Sequence, residues 1–212
     1  MPALRTLAIE CATEACSVAL FDGDRLIAGD WRLLGRGHAE ALVPMIAALP
    51  GQGRAGRIAV GLGPGSFTGL RIGLAAARAL ALAWQADITG FPTLALLAAM
   101  ASRDHPGQAV QVATTAGHGE WFCQSFDAQG QATSPLASLP PATAATMAPS
   151  LVIGSQAEAL GALRGSGLAL PLWPDARSLA LLPATAFTAS LTPLYGREPD
   201  AKLPGGKPLP AA

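Results

Sequence analysis

The stretch GPGSFTGLRIG, residues 63–73, opens the segment that most restricts how this chain can fold. From Phe67 to about Trp84 the residues read as one helix of roughly 27 Å, at 1.5 Å of rise per residue. Gly69 and Gly73 stand inside it. Each costs about 1 kcal/mol relative to alanine, so the helix must recover roughly 2 kcal/mol through close packing. At 100° per residue, Gly69, Gly73, Ala76 and Leu80 fall on a narrow stripe. Leu70, Leu74 and Ala81 lie to one side and Ile72, Ala75 and Ala79 to the other, with Arg71 and Arg78 as the only polar strip. A helix this apolar is buried on more than one side. One side covers its own sheet, and the second surface is either the neighbouring helix of this chain or another protein.

The residues before this helix predict three strands at 4–9, 16–21 and 25–33, the last two joined by a turn at Asp22, Gly23 and Asp24. The period then changes: His38, Leu42, Met45, Ile46 and Leu49 share one helical face, and Pro50 with Gly51 closes it. Pro44 is expected to kink this helix, at about 3 kcal/mol in an unsupported one. A loop at 51–56 and a buried strand at 57–62 lead to the glycine turn. Beyond residues 103–107 the pattern partly restarts, with strands at 109–113, 121–126 and 151–153 and a helix near 156–163. The chain therefore divides into an N-terminal domain, 1–103, and a smaller C-terminal domain, 104–212, whose tail from Pro199 onward is expected to be frayed or an extended arm.

Composition excludes several function classes. The chain has 212 residues, of which 50% are hydrophobic and 13% charged, with 14 basic side chains balancing 14 acidic ones. No global positive field exists to hold nucleic acid, so any RNA contact is local or made through a partner. Three cysteines, Cys11, Cys16 and Cys123, form no CxxC pair, which points to core residues in a reducing cytoplasm. The longest uninterrupted apolar runs, such as 94–101, fall short of the roughly 18 residues of a membrane span, and no secretory leader is expected.

Two chemistries suit the glycine turn. Gly63, Gly65 and Ser66 could present backbone N–H groups to an anion at a helix start. Alternatively the segment is a tight turn with Ser66 as helix cap. The turn lacks a P-loop lysine and GxGxxG spacing. Ser66 has no local base, and His105 and His118 lie without a supporting acid, so no nucleophilic triad is assigned. His38 is followed four residues on by Leu42, and one imidazole with no clustered second ligand cannot complete a zinc or iron shell.

LAIECATEACSVAL at 7–20, HAEALVPMI at 38–46 and AVGLGPGSFTGLRIGLAAARALAL at 59–82 resemble the bacterial TsaB (YeaZ) family over most of residues 4–100. A shorter similarity returns in PLYGREPDAK, 193–202. The resemblance implies a two-domain α/β fold of the actin, Hsp70 and sugar-kinase (ribonuclease H-like) superfamily with a reduced second domain. It also implies a non-catalytic subunit in the synthesis of threonylcarbamoyladenosine on tRNA, beside the anticodon. By that resemblance the chain pairs with a TsaD-type catalytic subunit through its first two helices, 38–49 and 68–84, and a TsaE-type ATPase joins them. Residues His38, Leu42, Met45, Gly69, Arg71, Ile72, Gly73, Ala76 and Leu80 are then the expected interface, and a bulky residue at 73 is expected to block association while sparing the isolated fold.

The same resemblance implies that no cofactor is bound by this chain alone, with ATP or ADP placed in the complex, and that tRNA is met indirectly. The catalytic relatives carry two histidines four residues apart where this chain has His38 and Leu42, so no metal ligand is carried over. Superfamily ATPases have glycine where Ala12 stands. The family pattern Asp-Ala-Arg-x-Gly-Glu-x-Tyr is replaced at 115–122 by TAGHGEWF, which lacks the carboxylate, guanidinium and phenol while Gly119 and Glu120 remain. Two competing readings remain: an autonomous ATPase or small-molecule kinase using Glu10, Thr13 and the Gly63 turn, and a homodimer through the same helices.

Overall fold

The computed structural model describes residues 5–147 and 149–196. Three strands open the chain, β1 (Arg5–Glu10), β2 (Ala15–Asp22) and β3 (Arg25–Leu33), followed by α1 (His38–Ala48), β4 (Arg57–Gly61), α2 (Phe67–Trp84), β5 (Asp87–Phe91) and α3 (Thr93–Asp104). The second half contains β6 (Val110–Gly117), β7 (Glu120–Phe126), β8 (Ala137–Leu139), α4 (Pro141–Ala145), β9 (Leu151–Ile153), α5 (Ala157–Arg164) and β10 (Leu168–Leu170).

The two halves repeat one topology. The first sheet has the order β3-β2-β1-β4-β5 and the second β8-β7-β6-β9-β10. In each, the first three strands run antiparallel and the last two join in parallel. This duplicated meander with two parallel additions is the actin-like, ribonuclease H-like α/β arrangement. The reduction of the second copy is visible in its three-residue strands β8, β9 and β10.

Strand parity decides which helix covers which face. Leu7, Ile9, Cys11, Val18 and Leu20 meet α1 and α2 through Leu42, Met45, Ile46, Leu74 and Ala77. The alternate residues Ala8, Ala19 and Phe21 meet Leu96 and Met100 of α3. The opposite side of α3, Leu94, Leu97, Ala98 and Ala101, covers Val110, Val112, Phe122 and Phe126 of the second sheet. Helices α4 and α5 close the far face around Ala113, Trp121, Cys123 and Leu160. Helix α3 is thus shared by both sheets, which its apolar run at 94–101 makes possible.

The chain then returns to the first half. A 3-10 turn at Ala176–Leu181 packs Ala176 and Leu179 beneath Ala8 and Phe21. The Ala176 N–H donates to Ser17 Oγ at 2.9 Å, Gly90 and Thr188 exchange backbone bonds, and the Leu194 N–H donates to the Leu62 carbonyl at 2.8 Å. A division that assigns all of 104–212 to the second domain therefore needs correcting for this segment, whose apolar residues complete the first sheet's core. The expected tail from Pro199 lies outside the described residues.

Helix α1 carries Pro44 in its interior with the side chain exposed. The loop expected at 51–56 begins as a 3-10 turn, Pro50–Gly53. Helix α2 matches a membrane span by length and composition alone, but its Leu70, Gly73, Leu74 and Ala77 face is buried against the protein's own sheet, as in a core helix.

Candidate functional site

At the end of β1 the chain turns sharply, because the Ala12 N–H donates to Glu10 Oε1 at 2.7 Å and the Ala15 N–H to Thr13 Oγ1 at 3.2 Å. Glu10 is fully buried. Its other oxygen, Oε2, accepts the Thr93 hydroxyl at 2.8 Å, and Thr93 Oγ1 in turn accepts the Gly63 N–H at 3.2 Å. Burial raises the carboxyl from 4.5 to about 7, against the lowering effect of these hydrogen bonds. The three residues knit β1, the glycine turn and the start of α3 into one network.

The turn lies directly on Ala12. A side chain at Gly65 would occupy the position of the Ala12 carbonyl, and the Ser66 N–H donates to that same carbonyl at 2.6 Å. Ser66 Oγ accepts the Gly69 N–H at 3.3 Å, which makes it the cap of α2. The donors expected to hold an anion at Ser66 and Gly63 are thus spent inside the chain, on Ala12 and Thr93. Thr13 is buried too, its carbonyl accepting from His38 Nε2 at 2.9 Å. Because Nε2 faces only carbonyl acceptors, at Thr13 and Ala15, it carries the proton. Glu10, Thr13, Gly63, Gly65 and Ser66 are therefore brought together, but as a packed joint.

The outer side of α1 and α2 is different. These helices lie together on one sheet face and leave large apolar side chains in solvent: Val43 is 61% exposed, Phe67 52% and Leu82 84%. On α2, Phe67, Arg71, Ala75, Ala79 and Leu82 form an exposed stripe along the helix. Arg71 stacks its guanidinium 3.5 Å from the Phe67 ring centroid, and Tyr195 lies 5.5 Å from the same ring.

Several expected interface residues need correction. His38, Leu42 and Met45 are 6%, 1% and 0% exposed, because the apolar face of α1 is spent on the sheet. Gly69 and Gly73 are also buried. A Cβ at Gly69 would strike the Cys11 carbonyl oxygen, and one at Gly73 would stand 3.4 Å from Cys11 Cβ and 3.8 Å from Ile9 Cγ2. The glycines bring α2 close to β1. Ile72, Ala76 and Leu80 pack partly on the core, and Arg71 alone of the nine is exposed. Val43, Phe67, Leu82 and Tyr195 were missed. Val43 and Leu82 could have been found as large apolar residues outside the buried stripes of their helices.

The fold has counterparts among solved structures. YeaZ from Pseudomonas aeruginosa is 29% identical, with a TM-score of 0.70 over 84% of this chain and 90% of that one. The "tRNA threonylcarbamoyladenosine biosynthesis protein TsaB" of Escherichia coli (strain K12) is 38% identical over 58% of this chain and 55% of its own length. The protein of the same name from Haemophilus influenzae is 34% identical over 55% of this chain and 51% of its own. Residues 32–148 match the family described as "TsaD: tRNA N6-adenosine threonylcarbamoyltransferase". The chain belongs to this family, on its TsaB/YeaZ branch. It spans about half the length of the curated TsaB relatives it matches.

The divergent segment 115–122 forms the β6–β7 hairpin. Gly117, His118 and Gly119 all take positive φ there, and Glu120 Oε2 accepts the Ser138 hydroxyl at 2.6 Å.

Proposed function

We propose that this chain is a non-catalytic partner subunit in the synthesis of threonylcarbamoyladenosine on tRNA, and that it docks a TsaD-type catalytic subunit through the outward face of α1 and α2. The observation that carries the reading is the pairing of a filled phosphate turn with an uncovered apolar helix face. Ala12 occupies the space under Gly65, and Ser66 spends its N–H on the Ala12 carbonyl. Val43, Phe67 and Leu82 stand in solvent on the two helices that cover the same sheet. The names of the TsaB relatives supply the pathway.

In this reading the chain works by shape. Buried glycines seat α2 on β1, and the seated helix presents Phe67, Arg71, Ala75, Ala79 and Leu82 to its partner. A TsaE-type ATPase joins the pair, ATP or ADP enters only with the assembly, tRNA is met through the catalytic subunit, and the setting is the cytoplasm. Size-exclusion chromatography of the chain with a TsaD-type subunit tests the reading. A shared peak lost in Leu82→Glu is the expected result. ATP turnover by the chain alone, abolished in Glu10→Gln, would replace this reading with an autonomous ATPase, and a homodimer that excludes the TsaD-type subunit would replace it with self-association.

A further inference from the structure

Cys11 and Cys16 place their sulfur atoms 3.5 Å apart inside the first core. The geometry follows from strand register. Glu10 pairs with Ser17 as the last antiparallel pair between β1 and β2, so Cys11 and Cys16 stand opposite each other one step further on. Both side chains point to the α1/α2 face, where the core includes them both, and both are free thiols. Directly opposed cross-strand positions have the Cα separation that a disulfide needs, and rotation about χ1 closes the remaining gap between the sulfurs.

We propose that Cys11 and Cys16 form a peroxide-sensitive dithiol, a reversible intrachain disulfide site beneath the docking helix α2. Burial selects the oxidant. Cys11 and Cys16 are 3% and 0% exposed, so hydrogen peroxide, little larger than water, reaches them where a glutathione-sized disulfide does not. One thiolate attacks a peroxide oxygen, the O–O bond breaks, and a sulfenic acid and hydroxide form. The second thiol then attacks the sulfenic sulfur, the S–S bond forms, and water leaves. In sum two thiols and one hydrogen peroxide give one disulfide and two waters, the thiols losing two electrons and the peroxide gaining them. Cys16 is the first nucleophile, since the Cys11 S–H held against it favours its thiolate and lowers its pKa.

Cys123 is the built-in control. It is equally buried, lies in the core of the second sheet, and burial raises its thiol to about 11. The test treats the full chain with hydrogen peroxide, then denatures it and blocks free thiols with iodoacetamide. The expected result is a peptide 6–25 lighter by two hydrogen atoms and unlabelled, a labelled Cys123, and three labelled cysteines after dithiothreitol. A Cys16→Ala variant should leave Cys11 unbridged and labelled to the same extent as Cys123. Equal labelling of all three cysteines in the treated wild type would overturn the proposal. So would oxygen added irreversibly to Cys11 or Cys16, or a bridge between two chains on a non-reducing gel.

Discussion

The Thr93 hydroxyl donates to Glu10 Oε2 at 2.8 Å and ties the first residue of α3 to the last residue of β1. Since α3 lies between the two sheets, this bond joins the part of the molecule that both halves share to the joint beneath the glycine turn.

A pH dependence follows from the same carboxyl. Its folded pKa is about 7 against 4.5 when free, so between these values the folded state holds a proton that the unfolded state has lost. Stability contributed by that proton is present below pH 4.5 and falls as pH rises through 7, by up to about 1.4 kcal/mol per unit. Urea midpoints measured from pH 5 to 8 should decline in the wild type and flatten in Glu10→Gln. An equal slope in both proteins would assign the dependence to other groups.

Replacing Thr93 by valine keeps the side-chain shape and removes the hydroxyl. The Gly63 N–H and Glu10 Oε2 each lose their partner, and the expected cost is about 1–3 kcal/mol in chemical denaturation. Thr93→Ser should recover most of it, because the hydroxyl returns. Failure of serine to rescue would place the role of Thr93 in its methyl packing.

The two helix glycines should differ sharply. Gly69→Ala drives a methyl group into the Cys11 carbonyl, a backbone atom that cannot yield, and is expected to leave the chain largely insoluble or several kcal/mol less stable. At Gly73 the nearest atom is 3.4 Å from the added carbon, so Gly73→Ala should change stability by about 1 kcal/mol or less, helped by alanine's helix propensity. Gly73→Leu is expected to damage the fold itself, which replaces the expectation of a clean loss of association. Thermal melts of the three variants order these outcomes.

Docking should separate from stability across α1. Val43→Glu changes a side chain in solvent and should alter stability by about 0.5 kcal/mol or less, while weakening association at least tenfold. Leu42→Ala, one residue earlier, empties a core position and should cost about 2–5 kcal/mol. Calorimetric titration of each folded variant with the TsaD-type subunit distinguishes the two. Unchanged affinity in Val43→Glu would move the docking surface elsewhere.

The span of α2, expected from Phe67 to about Trp84, and the Ser66 cap, one of two readings of the turn, were legible because capping and a 3.6-residue period are local properties. The meander β1 to β3 and the restart after residue 104 were also legible from alternation and turn residues. Strand β5 and helix α3 were not assigned. DITGF is short and partly exposed, and the run at 94–101 is apolar all round because α3 is wedged between two sheets, which removes the periodicity that would reveal it.

For the candidate site, sequence alone determined the glycines of the turn and a serine able to cap the helix after it. Glu10 and Ala12 were placed beside them by the family resemblance, and Thr93, which joins Glu10 to Gly63, was not foreseen because it is distant in the chain. The tertiary structure decided what they do. Periodicity groups Gly69, Gly73, Ala76 and Leu80 on one stripe but carries no sign of direction, so it cannot say whether that stripe faces a sheet or another protein. The Cys11 carbonyl settles it for Gly69, because a backbone atom that close leaves room only for hydrogen. With the small residues turned inward, Val43, Phe67 and Leu82 are left on the outside of the same two helices.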